Sequence, residues 1–300
     1  MSTPAIRQPR PTVSSTAVAP KTFQLSDIVS KSKPSSSRYG IYAKAGFGKT
    51  SLGTFFPKPV FLMTQGETGL LTLMEYGQVP ETPHFPEIQT WPDLLAALRT
   101  LQTETHDYKT LVIDTINGAE FMMHRFVCER DYKNDWTESG FMGYKRGYDT
   151  AIADWKLFLS DIDRLVSEKG MTPVFLMHAR IKTFKNPSGA DYDKYVPELH
   201  DKTWAVTQGW LNCLLFGGYE VTVADAKGRV ADQGKKGKAA ESSTRLLYTN
   251  SDNPTFDAKN QMGLPSEIDL GNSAKEGFKN FADALRAARK PEEKEATDGK

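Results

Sequence analysis

Residues 39–56 restrict the fold more than any other stretch. The short apolar run Tyr39-Gly40-Ile41-Tyr42 leads through Ala43-Lys44-Ala45-Gly46-Phe47-Gly48-Lys49-Thr50-Ser51 into Leu52-Gly53-Thr54-Phe55-Phe56, which can begin a helix. A strand that turns through glycines into a helix N-terminus gathers unpartnered backbone N–H groups at one spot. The helix dipole adds a partial positive charge there, so the turn is a phosphate site. The spacing follows G-x-x-x-x-G-K-[ST] except that Ala43 stands at the first glycine position. In that pattern the lysine reaches the β- and γ-phosphates and the next hydroxyl holds Mg²⁺. Lys49 and Thr50 are the candidates. Alanine at position 43 requires the loop to begin with φ < 0. A chance Gly-Lys-Thr in a surface turn is the competing reading, and the pattern downstream weighs against it.

That pattern alternates strands and helices. Pro59-Val60-Phe61-Leu62-Met63-Thr64 reads as a buried strand ending just before Glu67. In open α/β sheets ligands bind beyond the carboxyl ends of strands. Glu67 is therefore a candidate for polarising an attacking water, with a solvated turn glutamate as the even alternative. Residues 84–89 suggest a short strand. Thr90-Trp91-Pro92-Asp93 reads as a capped helix start, with Leu94, Leu95, Leu98 and Leu101 as its buried stripe. Leu111-Val112-Ile113-Asp114-Thr115 reads as a central parallel strand. Its Asp114 faces the metal of a bound nucleotide or else caps the helix expected over 116–130; the metal role is favoured. Residues 172–177 form another strand run, and His178 ends it, where it could sense a γ-phosphate or be a satisfied structural histidine.

Two segments mix aromatics with cations. Trp136, Phe141, Tyr144 and Tyr148 are interleaved with Lys145 and Arg146 across Gly140, Gly143 and Gly147. Rings that stack on bases and cations that meet phosphates suit single-stranded nucleic acid. The competing reading packs the aromatics under the helix expected over 150–166, and for Tyr148 that reading is favoured. Residues 180–195 read as a polar loop with Arg180, Lys182, Lys185 and Lys194, a second candidate for backbone contacts. Residues 210–216 and 219–224 suggest two strands broken at Gly217-Gly218. A basic loop follows at 227–238, then a last strand at 244–249. Ser273 to Glu276 is a capping box ahead of a helix with Phe278, Phe281, Ala282 and Leu285 on one face.

The 300-residue chain carries a net charge of +1, so any basic surface must be local. Its two cysteines, far apart and without partners at metal-ligand spacing, imply no disulfide framework and fit a reducing cytoplasm. No apolar run approaches membrane-spanning length, so no membrane partner is expected. Residues 1–36 are rich in Ser, Thr, Pro and Ala, with several cations against the single acid Asp27. They read as a disordered basic arm, solvated or lying near DNA. The expected organisation is this arm, an ATPase-like core over 37–270, a helix at 271–290 and a tail at 291–300.

In this order the motifs resemble the RecA-like P-loop ATPases, closest to the bacteriophage branch, the Sak-type single-strand annealing recombinases. The likeness covers residues 38–265. It implies an α/β fold: a mostly parallel sheet flanked by helices, with the sensor strand between the phosphate-loop and Asp114 strands and antiparallel edge strands. It implies ATP and Mg²⁺ as cofactors, with residues 43–51 holding phosphate and Thr50 and Asp114 holding the metal. Lys49, Glu67, Asp114 and His178 become the catalytic set. Segments 136–147 and 180–197 become loops facing single-stranded DNA. A homo-oligomer, possible work beside a single-stranded-DNA-binding protein, and the host cytoplasm would follow. Gln261 stands where that branch usually carries an arginine. The alternatives are a nucleotide-gated annealing scaffold with negligible turnover and a helicase relative.

Overall fold

The computed structural model describes residues 24–29, 36–224 and 238–289. The remainder of the N-terminal arm, the basic run at 227–237 and the tail at 291–300 lie outside the described residues. Residues 1–34 form a unit of their own, in which Leu25–Asp27 make one 3-10 turn.

Five parallel strands carry the rest: β1 (Tyr39–Ala43), β2 (Pro59–Met63), β3 (Thr110–Asp114), β4 (Thr172–Phe184) and β6 (Cys213–Ala224). Their order is β2-β3-β4-β1-β6. The histidine-tipped β4 thus lies between the phosphate-loop strand and the Asp114 strand, as the resemblance implied. Antiparallel β7 (Lys238–Tyr248) and β9 (Glu267–Asp269) extend the sheet past β6, and β8 (Lys259–Asn260) pairs with the start of β6.

Strand side chains alternate between faces. Tyr39, Ile41 and Ala43 of β1 join one buried cluster, and Tyr42 joins the other. Both faces need cover, so helices occupy both. On one side pack α3 (Trp91–Thr103), α4 (Ile116–Tyr132) and α5 (Arg146–Lys169), around Trp91, Trp155 and Phe158. On the other pack α1 (Lys49–Gly53), α2 (Gly69–Glu75) and α7 (Ala274–Ala288). The caps read from sequence form. Thr90 Oγ1 accepts from the Asp93 N–H at 3.3 Å, and Ser273 Oγ accepts from the Glu276 N–H at 3.1 Å. The buried Phe281 of α7 meets Tyr39 at 5.7 Å and Phe56 at 6.0 Å between ring centroids.

Several local expectations change. Residues 84–89 make only isolated bridges at His84 and Ile88, because Pro86 has no N–H to continue a ladder. Gly217-Gly218 is not a hairpin break; β6 runs straight through it. Gly217 is needed inside the strand because a Cβ there would overlap the Phe47 ring. Trp210 ends a helix, α6 (Asp201–Trp210), rather than starting a strand. Residues 180–197 are not an open loop. β4 continues to Phe184 and pairs antiparallel with β5 (Tyr192–Pro197), giving a hairpin that projects past the sheet.

Truncating Phe281 to alanine removes a fully buried ring that ties α7 to Tyr39 of β1 and to Phe56 just beyond α1. The expected loss is about 3–5 kcal/mol, read as a lower midpoint in urea unfolding. A loss below about 1 kcal/mol would mean that α7 is not part of the cooperative core.

Candidate functional site

Two glycines shape the turn between β1 and α1. Gly46 and Gly48 take φ of +79° and +99°, the left-handed region that side chains disfavour. Ala43 is the last residue of β1, in extended backbone, so its methyl is accommodated. Phe47 is buried against Gly217 and meets Tyr219 edge-on at 5.7 Å. β6 therefore holds the turn in place.

Lys49 is buried, and its ammonium donates to the carbonyls of Ala43 and Lys44, each at 3.1 Å. Burial lowers its pKa, while the Asp114 and Glu67 carboxylates oppose the shift. Thr50 Oγ1 donates to Asp114 Oδ2 at 2.6 Å. Asp114 is buried at the end of β3. Burial pushes its pKa up to about 6, Glu67 adds to the rise, and the Thr50 bond opposes it. Glu67 Oε1 lies 3.4 Å from Nε2 of His178 and accepts from Thr115 Oγ1 at 3.3 Å. The His178 hydrogen bond foremost holds the Glu67 carboxyl below the ordinary glutamate value, against partial burial. Lys49, Thr50, Glu67, Asp114 and His178 thus form one connected group past the carboxyl ends of four strands.

Four other residues complete the group. Thr115 Oγ1 accepts from the Gly118 N–H at 3.2 Å and so caps α4, which leaves Asp114 out of the capping role. Thr64 Oγ1 accepts from the Thr115 N–H at 3.0 Å. Asn117 bridges two segments: its Oδ1 accepts from the His178 N–H at 2.9 Å and its Nδ2 donates to the Glu198 carbonyl. The guanidinium of Arg245, on β7, lies against Gly48. For Thr115 and Asn117 the signal was short polar residues just after Asp114, and for Thr64 a polar residue directly after the apolar run of β2. Arg245 gave none, because its strand is remote in sequence and its register is set by β6.

Thr50 and Asp114 offer two hard oxygen donors. That set fits Mg²⁺, which takes one or two protein ligands and completes its shell with phosphate and water. Among the described residues no group of three or more His, Cys, Asp or Glu could hold a metal.

The residues expected to face nucleic acid divide. Phe141 is fully buried among Tyr132, Trp136 and Tyr148, and a Cβ on Gly147 would overlap its ring. It is a core side chain with no face left for a base. Trp136 is half-buried on it, with ring centroids 4.9 Å apart. Lys145 and Arg146 are exposed, and Tyr144 beside them is 93% exposed. The hairpin cations are ion-paired within the chain: Arg180 and Lys182 with Asp201 at 3.3 and 2.7 Å, Lys185 with Asp191 at 2.6 Å, and Lys194 with Asp257 at 2.6 Å. No described helix is long and apolar enough to cross a membrane.

Strand order, glycine-framed turn and acid-tipped strands together define a P-loop nucleotide-binding protein of the ATPase type. The chain belongs to the AAA domain family, whose match spans residues 35–262. No curated protein matches the sequence. Solved structures that it is similar to include a prototypical ATPase from the type III secretion system of pathogenic bacteria, at TM-score 0.40 and 12% identity over 61% of this chain and 52% of that one. The chain thus spans about half the length of that protein. The RadB recombinase matches at TM-score 0.40 and 12% identity, over 71% of this chain and 80% of the other.

The raised pKa of Asp114 fixes the sign of a stability change. Between about pH 4 and about pH 6 the folded chain keeps a proton that the unfolded chain releases, so stability falls as pH rises through that window. Asp114→Asn removes this dependence and keeps an acceptor for Thr50. Without Mg²⁺ or nucleotide at pH 8, the variant should be more stable than wild type by on the order of 2–3 kcal/mol. The gap should close near pH 4. Equal unfolding midpoints at pH 8 would refute the burial argument.

Proposed function

We propose that the chain hydrolyses ATP at this site and couples the reaction to a surface that contacts single-stranded DNA. The convergence of Lys49, Thr50, Glu67, Asp114 and His178 carries the proposal. The turn amides and Lys49 hold the β- and γ-phosphates. Mg²⁺ held by Thr50 and Asp114 would supply positive charge to the phosphate oxygens. Glu67, ionised at neutral pH through its contact with His178, orients a water and takes its proton as oxygen bonds to the γ-phosphorus. The bond to the β-γ bridging oxygen breaks and ADP leaves.

The coupling reading is supported by a continuous set of contacts leading away from Glu67. His178 touches Glu67 with its ring, and its carbonyl accepts from the Glu198 N–H at 2.8 Å. Asn117 holds both segments. Two residues on, His200 stacks on Tyr148 with centroids 4.0 Å apart and planes 3° apart, at the base of the segment that presents Tyr144 and Lys145. On the other side, Lys44 of the phosphate turn lies over the Tyr195 ring of the hairpin at 5.3 Å. A shift of Glu67 or of the turn on hydrolysis therefore has contacts through which to reach both segments. Tyr144, rather than Phe141, is the aromatic with free faces for stacking.

Phosphate release with and without an unstructured oligonucleotide at low salt tests this. Lys49→Ala should abolish release. Glu67→Gln should bind ATP and release phosphate at least about 100-fold more slowly. Oligonucleotide should raise the wild-type rate, and Tyr144→Ala should blunt that rise without changing the basal rate. Wild-type turnover in Lys49→Ala would refute the site. Tight ATP binding with no release would favour the gated scaffold instead.

A further inference from the structure

The phosphate turn has a second cation beside it. Gly48 is the N-cap of α1 and immediately precedes Lys49. A Cβ at Gly48 would lie 3.1 Å from Nη1 of Arg245. The other terminal nitrogen, Nη2, donates to the Gly271 carbonyl at 3.2 Å. The Arg245 carbonyl accepts from the Leu270 N–H at 2.8 Å, which pins the backbone as well. The guanidinium is therefore anchored at one nitrogen and presented to the turn with the other. The planar fork of a guanidinium matches phosphate oxygens.

We propose that Arg245 is a phosphate ligand of the bound nucleoside di- or triphosphate, a second fixed cation alongside Lys49. The inference rests on the nucleotide reading of the site and adds a residue to it. It also accounts for Gly48. Any larger residue would adopt strained backbone there and would press on the guanidinium. The segment around Gln261 is not the source of such a charge. Gln261 Oε1 accepts from Asn212 Nδ2 at 3.2 Å, next to the start of β6, which pairs with the start of β1. The phosphate turn follows the other end of β1.

Titration of the full-length protein with ATP, ADP and adenosine, with Mg²⁺ present, tests the assignment. Arg245→Gln removes the charge and keeps a polar, though shorter, side chain. Arg245→Lys keeps the charge but loses the fork. Arg245→Gln should weaken ATP and ADP by about tenfold to a hundredfold, the loss of one charge-assisted hydrogen bond, and leave adenosine unchanged. Arg245→Lys should lie between wild type and Arg245→Gln. A purely structural brace would leave Arg245→Gln near wild type or weaken all three ligands equally, and either result would overturn the proposal. If wild type itself bound no nucleotide, the site reading would fall and this proposal with it. Wild-type binding with an unimpaired Arg245→Gln would overturn this proposal alone.

Discussion

The in-register pairing of β1 with β4 on one side and β6 on the other places Ala43, His178 and Gly217 side by side at the sheet's carboxyl rim. Each then sets something the site needs. Ala43 starts the phosphate turn. His178 stands where its ring reaches Glu67. Gly217 leaves room for Phe47, whose burial fixes the turn's far side. Slipping a strand by one residue would turn every side chain to the other face. The apolar alternation that fills both faces of the sheet therefore also determines where the chemistry sits. Packing energy, spread over dozens of buried side chains, holds a geometry that the few polar contacts could not hold by themselves.

Burial weighs on the charged groups among those contacts. Asp114 is buried and its proton is retained to about pH 6. Burial draws the Lys49 pKa down. Both groups lose solvation in the folded chain; Lys49 recovers part of it from the Ala43 and Lys44 carbonyls, and Asp114 from the Thr50 hydroxyl. A triphosphate with a divalent cation would add negative charge beside Lys49 and positive charge beside Asp114. Glu67 is different. It is half-exposed, held ionised by His178, and suited to take a proton rather than to bind metal. Two carboxylates close in space are thus separated in role by burial and by partner.

Much of this was legible in the chain. The strand-turn-helix around Gly48-Lys49-Thr50 declares itself because phosphate binding needs glycine at fixed offsets and a helix N-terminus directly after. Glu67, Asp114 and His178 were legible as polar residues ending apolar runs, since ligands collect at strand ends. Three things were hidden. The hairpin made by β4 and β5 was masked by polar composition, because a projecting strand buries little and so lacks an apolar pattern. Phe141 sits among glycines and cations like a surface aromatic, yet its ring fills the space above Gly147, which has no room for a side chain. Arg245 depends on which residue of an antiparallel strand faces Gly48, and no local pattern encodes that register.

The ion pairs of the hairpin bear on how much free positive charge it presents. Arg180 and Lys182 share Asp201 at the first turn of α6, and Lys194 holds Asp257. These are partly exposed pairs, individually weak and screened by salt. Any added polyanion would have to compete with Asp201 and Asp257 for the same ammonium and guanidinium groups. Its net gain is then smaller than the number of cations suggests, and it depends on where α6 lies. The N-cap of α6 is His200, the residue stacked on Tyr148 and linked through Glu198 to His178. A path of contacts therefore runs from His178, beside Glu67, to the helix that carries Asp201.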